Sequence, residues 1–233
     1  MSIEIALITF DLDDTLWDTR PALEKAEAAQ WQFLENRFPK LHLRELTQHQ
    51  LVSLRQRLLA VKPHLTHQIS QFREQFILML LDDLGVNNLE AEAAAKAAFE
   101  AFLKERHNVA LYEDAAPMLR KLGQNYRLGA LTNGNADVYK TELGKFFNYA
   151  WRAEQFGFSK PDPRLFQKVF KLAGVTPQQV VHIGDCHDND VTGAIQAGAA
   201  AIWINSAGDS SPIANATARK LSELPQIMQL LSR

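Results

Sequence analysis

The chain has 233 residues, 46% hydrophobic and 22% charged, and its 25 basic against 27 acidic residues leave a formal net charge of −2. That length holds one large domain or a domain with a substantial insertion, and the composition excludes a disordered or fibrous chain. The charge balance leaves no bulk footprint for nucleic acid or an anionic membrane, no apolar run approaches the ~20 residues that span a bilayer, and the single Cys186 cannot form an intrachain disulfide, so a soluble cytoplasmic protein is expected.

The opening MSIEIALITFDLDD lacks a basic leader and reads as a first strand rather than a signal peptide. Residues 3–10 are almost continuously apolar and stop at Asp11, which predicts a strand buried on both faces, as in a parallel sheet. Residues 18–107 contain no convincing strand but repeat apolar positions at helical spacing. Trp31, Leu34 and Phe38 form one stripe, Leu51, Leu54 and Leu58 a second, Phe72, Phe76 and Met79 a third, and Ala95, Ala98, Phe99 and Phe102 a fourth. A small helical bundle is predicted, broken at Pro39, Pro63 and residues 85–88. Beyond it come a helix at 114–122 and a strand at 127–131 that runs into Thr132-Asn133-Gly134. Helices at 137–146 and 163–173 precede a strand at 180–183 that runs into Gly184-Asp185, then a helix at 190–197 and a strand at 200–204. The alternation predicts a doubly wound α/β parallel sheet made of residues 1–17 and 108–233, with the helical stretch 18–107 inserted. In such sheets ligands bind outside the carboxyl ends of the strands, where the polar residues just named gather.

Asp11 and Asp13 follow the first strand two positions apart, and in extended backbone such residues point to one side. One carboxylate can attack phosphorus while a second supplies and removes protons. Asp14 would point away from the pair. An EF-hand reading of the same loop fails, because Leu16 stands where the loop needs Gly and Ala22 where it needs Glu. Asp185 again follows a buried strand, with Asp190 five residues on. Carboxylates collected at adjacent strand ends repel one another unless a cation sits among them, and hard oxygen donors that leave room for a phosphate select Mg²⁺. Asp190 also suits a helix start, with contact to the metal only through an intermediary. The Thr132 hydroxyl, the Asn133 backbone N–H and Lys160, on a loop stiffened by Pro161 and Pro163, can supply donors and charge to a phosphate. Cys186 reads as structural and His187 as a surface or supporting residue. Asn135 reads as a substrate contact or a helix cap, and the Trp17-Asp18 pair as facing substrate or only steadying a hinge.

Together these four elements resemble the haloacid dehalogenase-like (HAD) hydrolase superfamily. The match runs through D-x-D-x-T at Asp11, Asp13 and Thr15, Thr-Asn at Thr132 and Asn133, the lysine at Lys160, and G-D-x-x-x-x-D at Asp185 and Asp190. It covers the whole chain, the helical insertion resembling the family's type 1 cap. The resemblance implies that Asp11 is a nucleophile forming an aspartyl phosphate and that Asp13 is the general acid and then base. It implies Mg²⁺ held by the Asp11 carboxylate, the Asp13 carbonyl and Asp185, with Thr15 and Asp190 in support, and a phosphoryl group bound by Thr132, Asn133 and Lys160. Family members that cleave carbon–halogen bonds replace the second aspartate, whereas this chain keeps Asp13. The expected activity is therefore hydrolysis of a small phosphorylated metabolite, with a 2-haloacid dehalogenase and a non-catalytic metabolite-binding module as the alternatives. The runs LTNGNA, SKPDP and HIGD further resemble a bacterial subgroup that includes phosphatases acting on 5-amino-6-(5-phosphoribitylamino)uracil in riboflavin synthesis, some acting on FMN and sugar phosphates. A monomer and a homodimer both remain open.

Overall fold

The computed structural model describes residues 4–231. Strand β1 (Leu7–Phe10) is buried along its whole length; the first residue of the expected strand, Ile3, lies outside the described residues. The short β2 (Trp17–Asp18) follows, then helices α1 (Thr19–Arg37), α2 (Gln48–Val61), α3 (Ile69–Asp83) and α4 (Asn88–Arg106). Strand β3 (Ala110–Leu111) runs antiparallel to β2, with Trp17 opposite Leu111. The chain then continues through α5 (Ala115–Leu122), β4 (Arg127–Thr132), β5 (Tyr149–Arg152), α6 (Pro163–Ala173), β6 (Val180–Gly184), α7 (Gly193–Gln196), β7 (Ala200–Ile204), β8 (Ala216–Ala218) and α8 (Leu224–Leu231).

The six-stranded sheet has the order β5-β4-β1-β6-β7-β8, and every neighbouring pair is parallel. The doubly wound α/β fold expected from the alternation is the fold found. The chain builds outward from β1 on one side through β4 and β5, then crosses to the other side at β6. The carboxyl ends of β1, β4 and β6 therefore border the crevice where the strand order reverses, the place such sheets use for ligands. Helix α6 shows how local sequence sets an element. Asp162 caps its start by accepting from the Arg164 backbone, Pro163 occupies the first turn, and Gly174 ends it at φ 68°, a conformation that costs glycine nothing. Its Leu165, Phe166, Val169 and Phe170 face the sheet and pack with Leu7, Leu131 and Val180.

Two expected elements differ. Residues 137–146 form two single 3₁₀ turns, Val138–Lys140 and Gly144–Phe146, rather than a helix. Between them the Thr141 hydroxyl donates to the Val138 carbonyl and accepts from Leu143 N–H, a local alternative to helical pairing. A Cβ at Gly144 would lie 2.7 Å from Tyr139 Cα, so the tight reversal depends on glycine there. Residues 190–197 split into a π-helical turn, His187–Thr192, and α7. Strands β2, β3, β5 and β8 form where no strand is predicted.

The chain divides into two compact units, Met1–Thr19 with Ala110–Arg233, and Arg20–Val109. The second is all helical. Thr47 and Gln50 make a reciprocal capping box at the start of α2, and Asn87 caps α4 through the Glu90 N–H. Its core sets Leu34, Leu43, Ile77 and Leu81 against Ala91, Ala94, Ala95 and Ala98. The third predicted stripe is corrected: α3 buries Ile77, Leu80 and Leu81. Phe72 and Phe76 instead line, with Trp31, Arg55, Arg73 and Gln30, a cavity of about 360 Å³. There the Arg73 guanidinium lies 3.8 Å from the centroid of the Phe102 ring.

Candidate active site

Asp11 is the first residue past β1, and its N–H donates to the Ile183 carbonyl, so its position is fixed by the sheet itself. Its carboxylate Oδ1 lies 2.5 Å from Lys160 Nζ, and the same ammonium lies 2.6 Å from Asp190 Oδ1. All three groups are nearly inaccessible, with Asp11 8%, Lys160 4% and Asp190 1% exposed. One buried cation thus serves two buried carboxylates. Burial pushes the Asp11 carboxyl up to about 8 against the pull of Lys160. Burial alone would raise Asp190 too, but Lys160 and His182 hold it well below the usual carboxylate range. Lys160 is raised, because Asp11 and Asp190 outweigh the effect of burial on the ammonium. The cluster is one positive charge short of ionising both carboxylates.

Asp190 reaches Lys160 because of the wide π-helical turn after β6, an irregularity that recurs at functional sites. Gly184 makes the space. A Cβ there would overlap the Asp190 carboxyl. Asp190 Oδ2 accepts from the Cys186 backbone, and Oδ1 from Lys160 and His182, so both oxygens are occupied by protein donors.

Thr15 joins two loops. Its hydroxyl donates to Asp185 Oδ1 at 2.8 Å and accepts from the Asp185 N–H at 3.1 Å, which holds that carboxylate beside the end of β1. Trp203 Nε1 donates to the Asp185 carbonyl, and the His187 ring packs edge-on against Trp203 while bonding Ser211. His187 thus supports the loop. Asp13 Oδ1 accepts from Trp17 Nε1 at 2.9 Å and from the Thr19 hydroxyl at 2.7 Å. Asp14, at φ 60°, instead accepts from the Thr19 backbone at the start of α1.

At the end of β4 the Thr132 hydroxyl accepts from Gly134 N–H. Asn133 contributes more than its backbone: its side chain donates to the Lys160 carbonyl and accepts from the Lys160 N–H, at 2.9 and 2.8 Å. That amide pairing pins the lysine loop to the β4 end. The structure therefore links Asp11, Lys160, Asp190 and Asn133 directly, and Asp185 with Thr15. Oxygen atoms of Asp11, Asp185 and Asp190 come within 4.8 Å of one another, a hard-donor set suited to a small divalent cation. Asp190 is the most heavily engaged of the three, its oxygens accepting from Lys160, His182 and the Cys186 backbone.

Sequence reasoning missed His182. It is 0% exposed inside β6, between Thr9 Oγ1 at 2.8 Å and Asp190 Oδ1 at 3.1 Å. The available signal was a titratable side chain in an otherwise apolar, fully buried strand.

Comparison with known proteins agrees with this geometry. A family model for haloacid dehalogenase-like hydrolases matches residues 5–198. The chain is 34% identical over 200 residues to the 5-amino-6-(5-phospho-D-ribitylamino)uracil phosphatase YigB of Escherichia coli, covering 86% of this chain and 83% of that protein. It is 32% identical to a phosphoserine phosphatase of Thermus thermophilus, covering 58% of this chain and 55% of that protein. Among solved structures it superposes on one described as a 2-haloacid dehalogenase from Pseudomonas syringae with a TM-score of 0.91 and 40% identity, over 97% of this chain and 99% of that one. The four strand-end motifs, the parallel sheet that gathers them and the family match over most of the length agree, and the chain belongs to the haloacid dehalogenase-like hydrolases.

Proposed function

We propose that the protein is a Mg²⁺-dependent phosphatase that hydrolyses a small phosphorylated metabolite through an aspartyl-phosphate intermediate. The observation that carries this reading is Asp13, held by Trp17 and Thr19 two residues past the Lys160-bound Asp11. An alkoxide is a poor leaving group that needs a proton, whereas a halide leaves as a stable anion and needs none. A dehalogenase has no use for an acid at position 13, and this favours the phosphatase over the reading suggested by the solved 2-haloacid dehalogenase structure.

In this mechanism an Asp11 oxygen attacks phosphorus as the P–O bond to the leaving group breaks, and Asp13 protonates the departing oxygen. Asp13 then removes a proton from water, which attacks the phosphorus of the aspartyl phosphate and returns Asp11 and inorganic phosphate. Lys160, the Thr132 hydroxyl and the Asn133 backbone neutralise and orient the phosphoryl oxygens. The Asp11 and Asp185 carboxylates and the Asp13 carbonyl would hold Mg²⁺, which would supply the charge the cluster lacks and stabilise the phosphoryl group. The relation to YigB across most of both chains supports 5-amino-6-(5-phospho-D-ribitylamino)uracil as substrate, and with it a role in riboflavin synthesis in the cytoplasm; FMN and sugar phosphates are the next to test.

The test is a phosphate-release screen with Mg²⁺ over a metabolite panel, with Asp11→Asn and Asp13→Asn alongside. Wild type should release phosphate, Asp11→Asn should release none, and Asp13→Asn should be slower by roughly 10²–10⁴-fold. Chloride release from a 2-haloacid would make the protein a dehalogenase. Binding without turnover of any panel member would make it a binding module.

A further inference from the structure

We propose that His182, backed by Thr9, is a positioning residue that orients Asp190 and, through it, the Lys160 ammonium on Asp11. The inference rests on the phosphatase reading above and adds a residue outside the four motifs. Thr9 and His182 face each other across the β1–β6 pair, in register. An imidazole inside an apolar sheet is costly unless both ring nitrogens are bonded. Here both are: Nδ1 lies 2.8 Å from Thr9 Oγ1 and Nε2 3.1 Å from Asp190 Oδ1, while the Phe166 ring packs edge-on against the imidazole at 5.1 Å.

Only one arrangement of protons satisfies this chain. Burial keeps the imidazole neutral, so one ring nitrogen donates and the other accepts. Asp190 is held ionised by Lys160 and can only accept. Nε2 must therefore carry the hydrogen and donate to Asp190, and Nδ1 must accept from the Thr9 hydroxyl. Asp190 is then fixed by three donors from three elements: His182 of β6, the Cys186 backbone of the following turn, and Lys160. A carboxylate so constrained cannot rotate about its own axis, and Lys160 Nζ is left between two fixed oxygens, Oδ1 of Asp190 at 2.6 Å and Oδ1 of Asp11 at 2.5 Å. Supporting partners of this kind typically contribute about 10–100-fold to activity. His182 reaches the reacting atoms only through two other side chains. Its loss should thus loosen phosphoryl binding and alignment without abolishing the chemistry.

The experiment uses the full-length protein with Mg²⁺ and p-nitrophenyl phosphate as the probe substrate, comparing wild type with His182→Leu, His182→Gln and Thr9→Val. His182→Leu should lower kcat/KM by about 10–100-fold and weaken competitive inhibition by inorganic phosphate. His182→Gln, whose amide nitrogen can again donate to Asp190, should recover most of both, and Thr9→Val, which leaves Nδ1 without its donor, should lose a smaller part of both. A purely structural role predicts a lowered Tm with unchanged kcat/KM below it and no rescue by Gln, and that outcome would overturn the proposal. In parallel, nitrogen-15 NMR of the wild-type ring should show the Nε2–H tautomer; an Nδ1–H tautomer or an imidazolium at neutral pH also overturns it. If wild type turns over no phosphoester, the phosphatase reading fails, and the tautomer and phosphate-binding measurements on the same variants still decide the role of His182.

Discussion

The two units of this chain bury polar side chains to different extents. In the α/β unit, Asp11, Lys160, Asp190, His182, Thr9 and Thr15 are all buried, and each is bonded to another member of the group or to a neighbouring loop. In the helical unit the clustered core is apolar, with alanines of α4 against leucines and isoleucine of α1 and α3; Gln30 and Arg106 are its buried polar side chains, and ion pairs such as Arg57–Asp83 and Arg37–Glu90 lie at the surface. The difference separates chemistry from cohesion. A buried network of charges adds little net stability, because desolvation consumes most of the attraction, but breaking it is costly. An apolar interior contributes stability in proportion to buried area and tolerates volume-conserving change. Substitutions in the first unit should therefore lose activity and stability together, and those in the second should lose stability alone.

The largest effect is expected from Gly184→Ala. The added methyl displaces the Asp190 carboxyl, which strands Lys160 and His182 with one partner fewer, and breaking a buried ion pair costs about 3–5 kcal/mol. Denaturant unfolding should show that loss, and phosphate release should fall with it. Full activity in a folded Gly184→Ala protein would mean that Asp190 is dispensable. Next is Leu34→Ala, at a fully buried position of the helical core. It should cost about 2–5 kcal/mol and leave kcat unchanged at temperatures where the variant is folded. A kcat that falls in proportion to the lost stability would abolish the contrast between the units.

How far these positions could be read from sequence follows the same division. Asp11, Asp185 and Thr132 announce themselves because an apolar run ends abruptly on a polar residue, which is what the carboxyl edge of a buried parallel strand looks like. His182 does not, because it sits inside such a run, and what makes it polar-compatible is Thr9 at 173 positions' remove. The Asn133 side chain was hidden for a related reason: its partner is the backbone of Lys160, which no residue type signals. Strands β5 and β8 are four and three residues long, too short to show a period, and exist because an adjacent strand offers register. Gly129 marks the β5 contact, since a Cβ there would come within 2.8 Å of the Trp151 ring. Within the helical unit, spacing found α3 but missed its fully buried residues, Ile77, Leu80 and Leu81, while Phe76 packs at the edge of the core. Phe72 and Phe76 are large and apolar, yet the cavity they share with Arg55 and Arg73 leaves them half-buried.

The pH dependence of stability tests the charge balance of the site without relying on turnover. In protein freed of divalent cations, the folded Asp11 carboxyl is held up to about 8 while the unfolded one returns to 3.8. Between those values the native state keeps a proton the unfolded state releases, so stability falls as pH rises. His182 acts in the opposite sense: burial holds it below 6.5, so its contribution is present above 6.5 and is lost as pH falls through its folded value. The two oppose each other at acidic pH, and above 6.5 His182 no longer offsets the Asp11 effect. Tm should decline from about pH 6.5 to about 8, by at most about 2 kcal/mol of stability, and Asp11→Asn should remove its share of the slope. Saturating Mg²⁺ should do the same by favouring the carboxylate. An identical slope in wild type and Asp11→Asn would mean that Asp11 is already ionised beside Lys160.

The smallest effect is expected at the Arg57–Asp83 pair, which ties α2 to α3 across the helical unit. Its geometry is favourable: Arg57 Nη1 donates to Asp83 Oδ2 and Nη2 to Oδ1, each at 2.9 Å. The side chains are nonetheless 56% and 40% exposed, so water screens the attraction and ordering two long side chains offsets much of what remains. Exposed pairs of this kind contribute about 0–1 kcal/mol. Arg57→Met, which keeps most of the apolar stem, should lower stability by no more than that in low salt, by less in high salt, and should leave kcat/KM alone. A loss of several kcal/mol that persists in high salt would mean that a polar lock, and not apolar packing, holds α2 to α3, and the contrast between the two units would then be one of location rather than of kind.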